Sequence, residues 1–561
     1  MIQRIVLLLL AVAVVLSSSS RSLAACSTSS EPHGNLSGQK NYRINYNSFS
    51  LIPAITADQG LRGVIAAADT WNEQADGGYF TYRGLTTRTE LPATKAECDA
   101  QGINFSVVTV INDNCGLVGG ATTYARCINP STGKGTQFIV KINAKDFNVA
   151  QGCFNQYWSV GAINPGEWDL VSVVTHELGH TLGLGHTGGA EHGVMDTGGI
   201  DFTGSTLRRR DLYQWERQCV NQISGRRVLG QYHRLLVDGV WWDETSSYSG
   251  IPVAPAGGVV LMPGGWWDWS FAHESPIWGG SCIFWRQGTT DRCPIFDTTV
   301  NKELLWSTGH RNVVPLENGN RNYLVYAQKT ESPANSLDAG FPITYNYSED
   351  QFASVASSGT FQYCLDATCS SVGTVYSSEP LGVAWDEWNW ITIVAWAKQD
   401  RQNEAHNREL MLSFGMNGGT LGHTIGLDVK TSVAPGIACK PFAAGGWDCV
   451  LAYVDESDPM YYVRTRRFWY NTEAPGGPAP DWDPNVYNTF YVTGSAIAAI
   501  YQNGAFYLSM RSMVPDQGLG MAKSTDGANW EADETFPLAY SVTGPVSVSY
   551  WTGYNMLMTV Q

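Results

Sequence analysis

Positive charge is scarce in this sequence: 561 residues hold 35 Lys and Arg against 51 Asp and Glu, a formal charge of −16. A surface that tracks phosphates needs clustered cations, so nucleic acid and anionic membrane surfaces are poor partners. The one basic run, Arg208-Arg209-Arg210 beside Asp211, reads as a solvated helix face. Long apolar runs are also missing. After the N-terminus none reaches the roughly eighteen residues of a membrane helix, so no transmembrane segment is expected. Histidine is sparse and uneven, with none of the 10 falling between His33 and His176. Beyond about residue 225 no long amphipathic helical pattern remains, which excludes a helical C-terminal half.

The first residues run MIQR, IVLLLLAVAVVL and SSSSRSLAAC. A basic start, a short apolar core and small residues make a signal peptide over 1–25, with a flexible Ser/Gly/Asn-rich lead over 26–40. The chain is therefore expected to be secreted and extracellular. Leu23-Ala24-Ala25-Cys26 is similar to the lipoprotein box of bacteria, so Cys26 is either lipidated, tethering the chain to an outer surface, or disulfide-bonded. The 12 cysteines favour an oxidising compartment, and Cys282/Cys293, Cys364/Cys369 and Cys439/Cys449 form close local pairs.

The length suits two domains. In the first, 41–224, Tyr42, Ile44 and Tyr46 alternate as in a strand. A helix follows over Asp58–Gln74, with Leu61, Val64, Ile65, Ala68 and Trp71 at spacings of three and four. Strands are expected over 103–111 and 135–143, a second helix over Asp169–Leu184, and a third from near Ser205 that turns Leu212, Trp215 and Cys219 inward. Strands and helices in this order make an α+β domain.

The chemistry is concentrated in HELGHTLGLGHTGGAEHGVMD. On a helix His176 and His180 lie one turn apart on one face, with Glu177 beside them. Gly183 lets the chain leave the helix and turn back, so that His186 brings a third nitrogen. Three imidazoles leave a fourth zinc position open to water, the pattern of a catalytic rather than a closed structural site. Glu177 is then the general base, passing the water's proton to the leaving amine. His192 reads as a loop residue, with substrate contact or a place among the ligands as alternatives.

This pattern, closed by Met195, resembles the metzincin proteases, and within them the matrixins and their bacterial relatives. The resemblance covers about residues 40–222. It implies a zinc endopeptidase with one catalytic ion held by His176, His180 and His186, a hydrophobic turn at Met195, and a peptide substrate pairing with an upper edge strand, for which 135–143 is the candidate. Thr197, two residues after Met195, stands where some metzincins carry a zinc-binding Tyr, which favours the matrixin-like branch. A second, histidine-bound structural zinc is not expected, while calcium held by loop oxygens stays open.

From 225 to 561 the composition changes, with 17 of 21 tryptophans in this part. Short aromatic strands recur every 50–70 residues or so, the length of a four-stranded sheet with its loops, which points to an all-β propeller of five to seven blades, with a pair of β-sandwiches as the competitor. Ser524-Thr525-Asp526-Gly527-Ala528-Asn529-Trp530 resembles the Asp-box hairpin of sialidase-like propellers; Ser524, Asp526 and Gly527 would shape the turn and Trp530 would pack between strands. Arg464, Arg466 and Arg467 crowd one strand, unlike the dispersed triad of sialidases. The expected role is a non-catalytic domain that binds a carbohydrate or protein, and the alternative is a glycan-processing propeller with an auxiliary protease domain.

Overall fold

The computed structural model of the chain describes residues 40–560 apart from 75–78, 113–119, 149–151, 156, 163–165, 187–192, 196–209, 225–230 and loops farther on, the longest being 247–258, 262–268, 297–303, 329–339, 349–356, 386–391, 401–405, 472–479 and 533–545. In the strands between 231 and 328 and between 546 and 560 only the backbone is described. The expected signal peptide, Cys26, His192 and Thr197 lie outside the described residues, as do the side chains of Cys282 and Cys293.

The N-terminal part is built on five strands: β1 (Lys40–Ile44), β2 (Phe80–Leu85), β3 (Ser106–Ile111), β4 (Ala121–Asn129) and β5 (Lys134–Asn143), in the spatial order β2-β1-β3-β5-β4. All neighbours run parallel except β4 and β5. The edge strand is therefore β4, and the expectation that 135–143 lies at the edge is corrected. Phe138, Ile139, Val140 and Ile142 are all buried, with only Lys141 between them partly exposed, as in an inner strand covered on both faces. Helix α1 (Ala57–Gln74) buries Leu61, Val64, Ile65, Ala68 and Trp71, as their spacing requires. The short α2 (Lys95–Ala100) starts at a capping box of Thr94 and Glu97, and its Cys98 is disulfide-bonded to Cys127 of β4. Helix α3 (Leu170–Thr181) packs on α1. The last helix, α4 (Gln214–Ser224), begins later than Ser205, yet Leu212, Trp215 and Cys219 are buried as expected.

The rest is β-sheet in propeller-like succession. Five sheets follow one another, each built on four strands adjacent in sequence; the third of these, centred on Glu409–Asn417 and Thr420–Lys430, gains two more strands. A sixth combines Gln231–Val237 and Val240–Ser246 with Val546–Trp551 and Tyr554–Val560, so the two ends of this part share one sheet. Val546–Trp551 lies against both Val259–Leu261 and Ala498–Gln502, which brings the last sheet against the first. Disulfides Cys364–Cys369 and Cys439–Cys449 form as their spacing implies.

The two parts meet over buried charge. Arg511 lies 2.7 Å from Asp69 and 3.2 Å from Glu73 of α1. Arg408 lies 2.9 Å from Asp211, and Gln74 Nε2 donates to Glu379 Oε1 at 3.0 Å. Arg210, expected on a solvated face, is only 2 % exposed, because the C-terminal part covers it. Gly494 allows a close approach: a Cβ there would sit 3.0 Å from Asp69 Oδ2 and 3.3 Å from the Ala66 backbone.

Candidate metal centre

Asp169 caps α3, accepting from Val171 N at 3.2 Å, and the helix places His176, Glu177 and His180 on the side facing β4. It ends at Leu182, and Gly183 takes φ +92, a left-handed conformation that releases the chain toward His186. A Cβ on Gly183 would lie 3.0 Å from Ile223 Cγ2, so conformation and space both ask for glycine.

The three imidazoles converge. His176 Nε2 lies 3.1 Å from His180 Nε2 and 3.1 Å from His186 Nε2, and the last two are 3.0 Å apart. In two of them the other nitrogen fixes the tautomer: His176 Nδ1 faces Val194 O at 2.7 Å and His180 Nδ1 faces Leu184 O at 2.9 Å. A carbonyl can only accept, so Nδ1 carries the hydrogen and Nε2 presents a lone pair. Lone pairs meeting in one small space repel unless a cation lies among them. The donor set and its carbonyl-oriented rings therefore suit zinc, and among the described residues this is the one His, Cys, Asp and Glu group that could hold an ion.

Glu177 is 6 % exposed, and Thr123 of β4 donates to its Oε2 at 2.6 Å. Burial pushes the carboxyl up to about 7, against the pull of the Thr123 hydroxyl. Below the histidines, Met195 is fully buried; a Cβ on Gly179 would lie 2.3 Å from Met195 Sδ and 2.9 Å from Trp71 Cζ2. Trp71 Nε1 in turn donates to Thr175 O at 2.8 Å. Glu216 of α4 accepts from Met195 N at 2.7 Å and from Tyr213 N at 2.8 Å, which pins the turn under the histidines. Thr123 and Glu216 escaped the sequence reading, and Trp71 was read there only as part of the buried helix face, since each reaches the centre from a distant element.

The hairpin at Ser524 lies apart from this centre. Asp526 Oδ1 accepts from Ala528 N and Asn529 N at 2.9 and 2.8 Å, Ser524 Oγ accepts from Gly527 N, and Gly527 takes φ +72. These bonds hold the Asp526 carboxyl well below the usual carboxylate range even though burial opposes them. Trp530 is buried and donates to Thr465 of the preceding sheet at 2.9 Å. The four residues thus form a turn and an inter-sheet peg.

A family model described as Matrixin matches residues 150–197, the segment that carries the three histidines, Glu177 and Met195. No curated protein matches the sequence. Among solved structures, an α-L-arabinofuranosidase from Fusarium graminearum is 12 % identical and covers 55 % of this chain and 93 % of its own, with a TM-score of 0.35. A Trypanosoma rangeli sialidase is 12 % identical and covers 43 % of this chain and 41 % of its own at a TM-score of 0.28. A fucose-specific lectin from Aleuria aurantia is 12 % identical, covering 50 % and 79 % at a TM-score of 0.28. Overlap this slight transfers no chemistry.

Proposed function

We propose that this chain is an exported zinc endopeptidase, with residues 41–224 as its matrixin-like catalytic domain and 225–561 as a non-catalytic six-bladed propeller. The observation that carries the reading is the convergence of three Nε2 atoms, two of them tautomer-fixed, beside a buried carboxyl. His176, His180 and His186 would hold the ion. When bound, zinc supplies a Lewis acid that acidifies water and polarises a peptide carbonyl. Glu177 is the general base: Thr123, whose hydroxyl donates to Oε2, holds the carboxyl in place to take the water's proton and return it to the amine nitrogen that leaves. Edge strand β4, joined on its outer side to Pro92 and Ala93 at Cys127 and Ile128, would receive an extended peptide along its earlier residues. Met195 and Glu216 keep the floor of the site fixed.

The glycan-processing alternative finds less support. Arg464 is tied to Asp455 and Asp458, Arg467 to Asp448, and Arg466 lies 4.4 Å over the Trp482 ring. Among the described residues, the acid and arginines Glu379, Arg408 and Arg511 are buried against the N-terminal part and do not face an open cleft.

A diverse peptide library, incubated with the purified chain and with Glu177→Ala, tests the proposal. Cleavage that disappears in the variant by about a thousandfold or more supports it, on the scale expected when a general base is lost. Equal cleavage by both proteins contradicts it, as does hydrolysis of glycosides in place of peptides.

A further inference from the structure

We infer that the C-terminal part acts in cis as a positioning partner of the active-site helix, holding its N-terminus through the buried chain Glu456–Arg210–Asp169; the functional meaning of this coupling rests on the protease reading, and its structural test does not. Asp169 does more than cap α3 through Val171 N: it also accepts from Ser172 Oγ at 2.5 Å. Arg210 grips both of its oxygens, with Nε and Nη2 each at 2.8 Å. On the far side Arg210 Nη1 lies 3.7 Å from Glu456 Oε1, which is also 3.9 Å from Arg408 Nη1. All three members of the chain are nearly sealed from solvent, with Asp169 and Glu456 each 3 % exposed and Arg210 2 %.

The loop that carries Glu456 is a rigid presser. Asp455 Oδ1 accepts from Ser457 N and Oγ, Asp458 Oδ1 accepts from Met460 N, and Arg464 pairs with both carboxylates. Tyr461 is held at φ 55, a left-handed backbone that side chains rarely adopt and that packing must impose. This loop lies directly on the start of α3: Val171, Arg210, Arg408, Ser432 and Tyr461 share one cavity of about 20 Å³. Gly161, at φ +96, lets it come so close that a Cβ would meet Ser457 O at 2.8 Å.

The geometry makes the contact consequential. His176 follows Asp169 by seven residues, about two turns of a stiff helix. His186 lies beyond the end of α3, and Met195 is anchored by Glu216 of α4. Tilting α3 from its N-terminus would move His176, Glu177 and His180 relative to both and spread the three nitrogens.

Glu456→Gln in the full chain tests the inference, since it keeps shape and removes the charge. In the metal-free protein, amide hydrogen exchange over 170–181 should rise about tenfold or more while β1–β5 stay unchanged. Zinc affinity, by chelator competition, should weaken about tenfold, and kcat should fall with KM moved less than about twofold. Exchange and affinity within about twofold of wild type, with the 455–461 loop loosened, would overturn it. Should Glu456→Gln unfold the chain, Arg464→Lys loosens the loop without touching the N-terminal part, and the same pattern is expected at smaller amplitude. Uniform exchange across the whole chain would count against the coupling. In a cycle with Asp169→Asn, the double variant should be no worse than the worse single, and additive effects would be contrary. If the wild-type chain binds no zinc, the protease reading falls, and the exchange measurement still decides this one.

Discussion

Glu177 is held between two opposing influences. Its burial favours the neutral acid and raises its pKa to about 7, while the Thr123 hydroxyl favours the carboxylate. Removing the hydroxyl with the isosteric Thr123→Val should therefore leave less carboxylate at neutral pH. A hydrogen bond to a charged group is worth about 1.5–3 kcal/mol, so kcat should fall about tenfold or more, and the acid limb of the pH–rate profile should move upward. Unchanged kcat would show that Thr123 merely packs. The residues of the centre were legible because helical periodicity writes His176, Glu177 and His180 into one local string, and glycine at 183 announces the exit. Thr123 was not: it lies 54 residues earlier, an ordinary threonine that acquires a role only when β4 crosses α3.

Helix α3 shows how much of an element the chain states locally. Its position, its buried apolar face and the glycine at which the chain leaves it could all be read from pattern; the structure has them, with Asp169 outside as the cap and the helix ending at Thr181, short of the expected Leu184. The fate of its cap could not, since Arg210 is four decades of residues away and was read as solvated. Asp169→Ala removes a cap and strands a buried guanidinium, so it should destabilise the chain by about 3–5 kcal/mol in denaturant unfolding. Asp169→Asn keeps an acceptor for Val171 N and should cost less. Equal, small losses in both would mean that Arg210 finds solvent or another partner. The same limit explains two corrections. Strand order decides that β4 and not β5 is the edge, and order is a property of the sheet. Ser205 is a good cap in isolation, but α4 starts at Gln214, where Trp215 and Cys219 can be buried.

On the scale of the whole molecule, acid outnumbers base where the two parts meet. Burial pushes Asp69 up to about 6, Glu73 to about 7 and Glu379 to about 8, the last two also raised by neighbouring carboxylates. Each group binds its proton more tightly folded than unfolded. Their contribution is therefore most favourable below about pH 4 and is lost as pH climbs through about 8. The thermal midpoint should fall by several degrees between about pH 5 and 8.5, and Glu379→Gln should flatten the slope; an equally steep slope in the variant would place the cause elsewhere. None of this interface could be read in advance, because each of its charges looks like an ordinary surface residue until two distant segments close over it. The repeating aromatic strands, by contrast, announced a succession of sheets, although the joining of 231–246 with 546–560 is revealed only by the folded chain.

The most direct test of a zinc endopeptidase is a titration of zinc into the chelator-stripped chain, with bound metal and peptide cleavage followed in the same sample. Cleavage should rise in proportion to bound zinc and level off at one ion per chain, and His186→Ala should lose both. Peptide cleavage that is already complete without metal, or zinc bound by three histidines in a folded chain that cuts no peptide in the library, would contradict the proposed function.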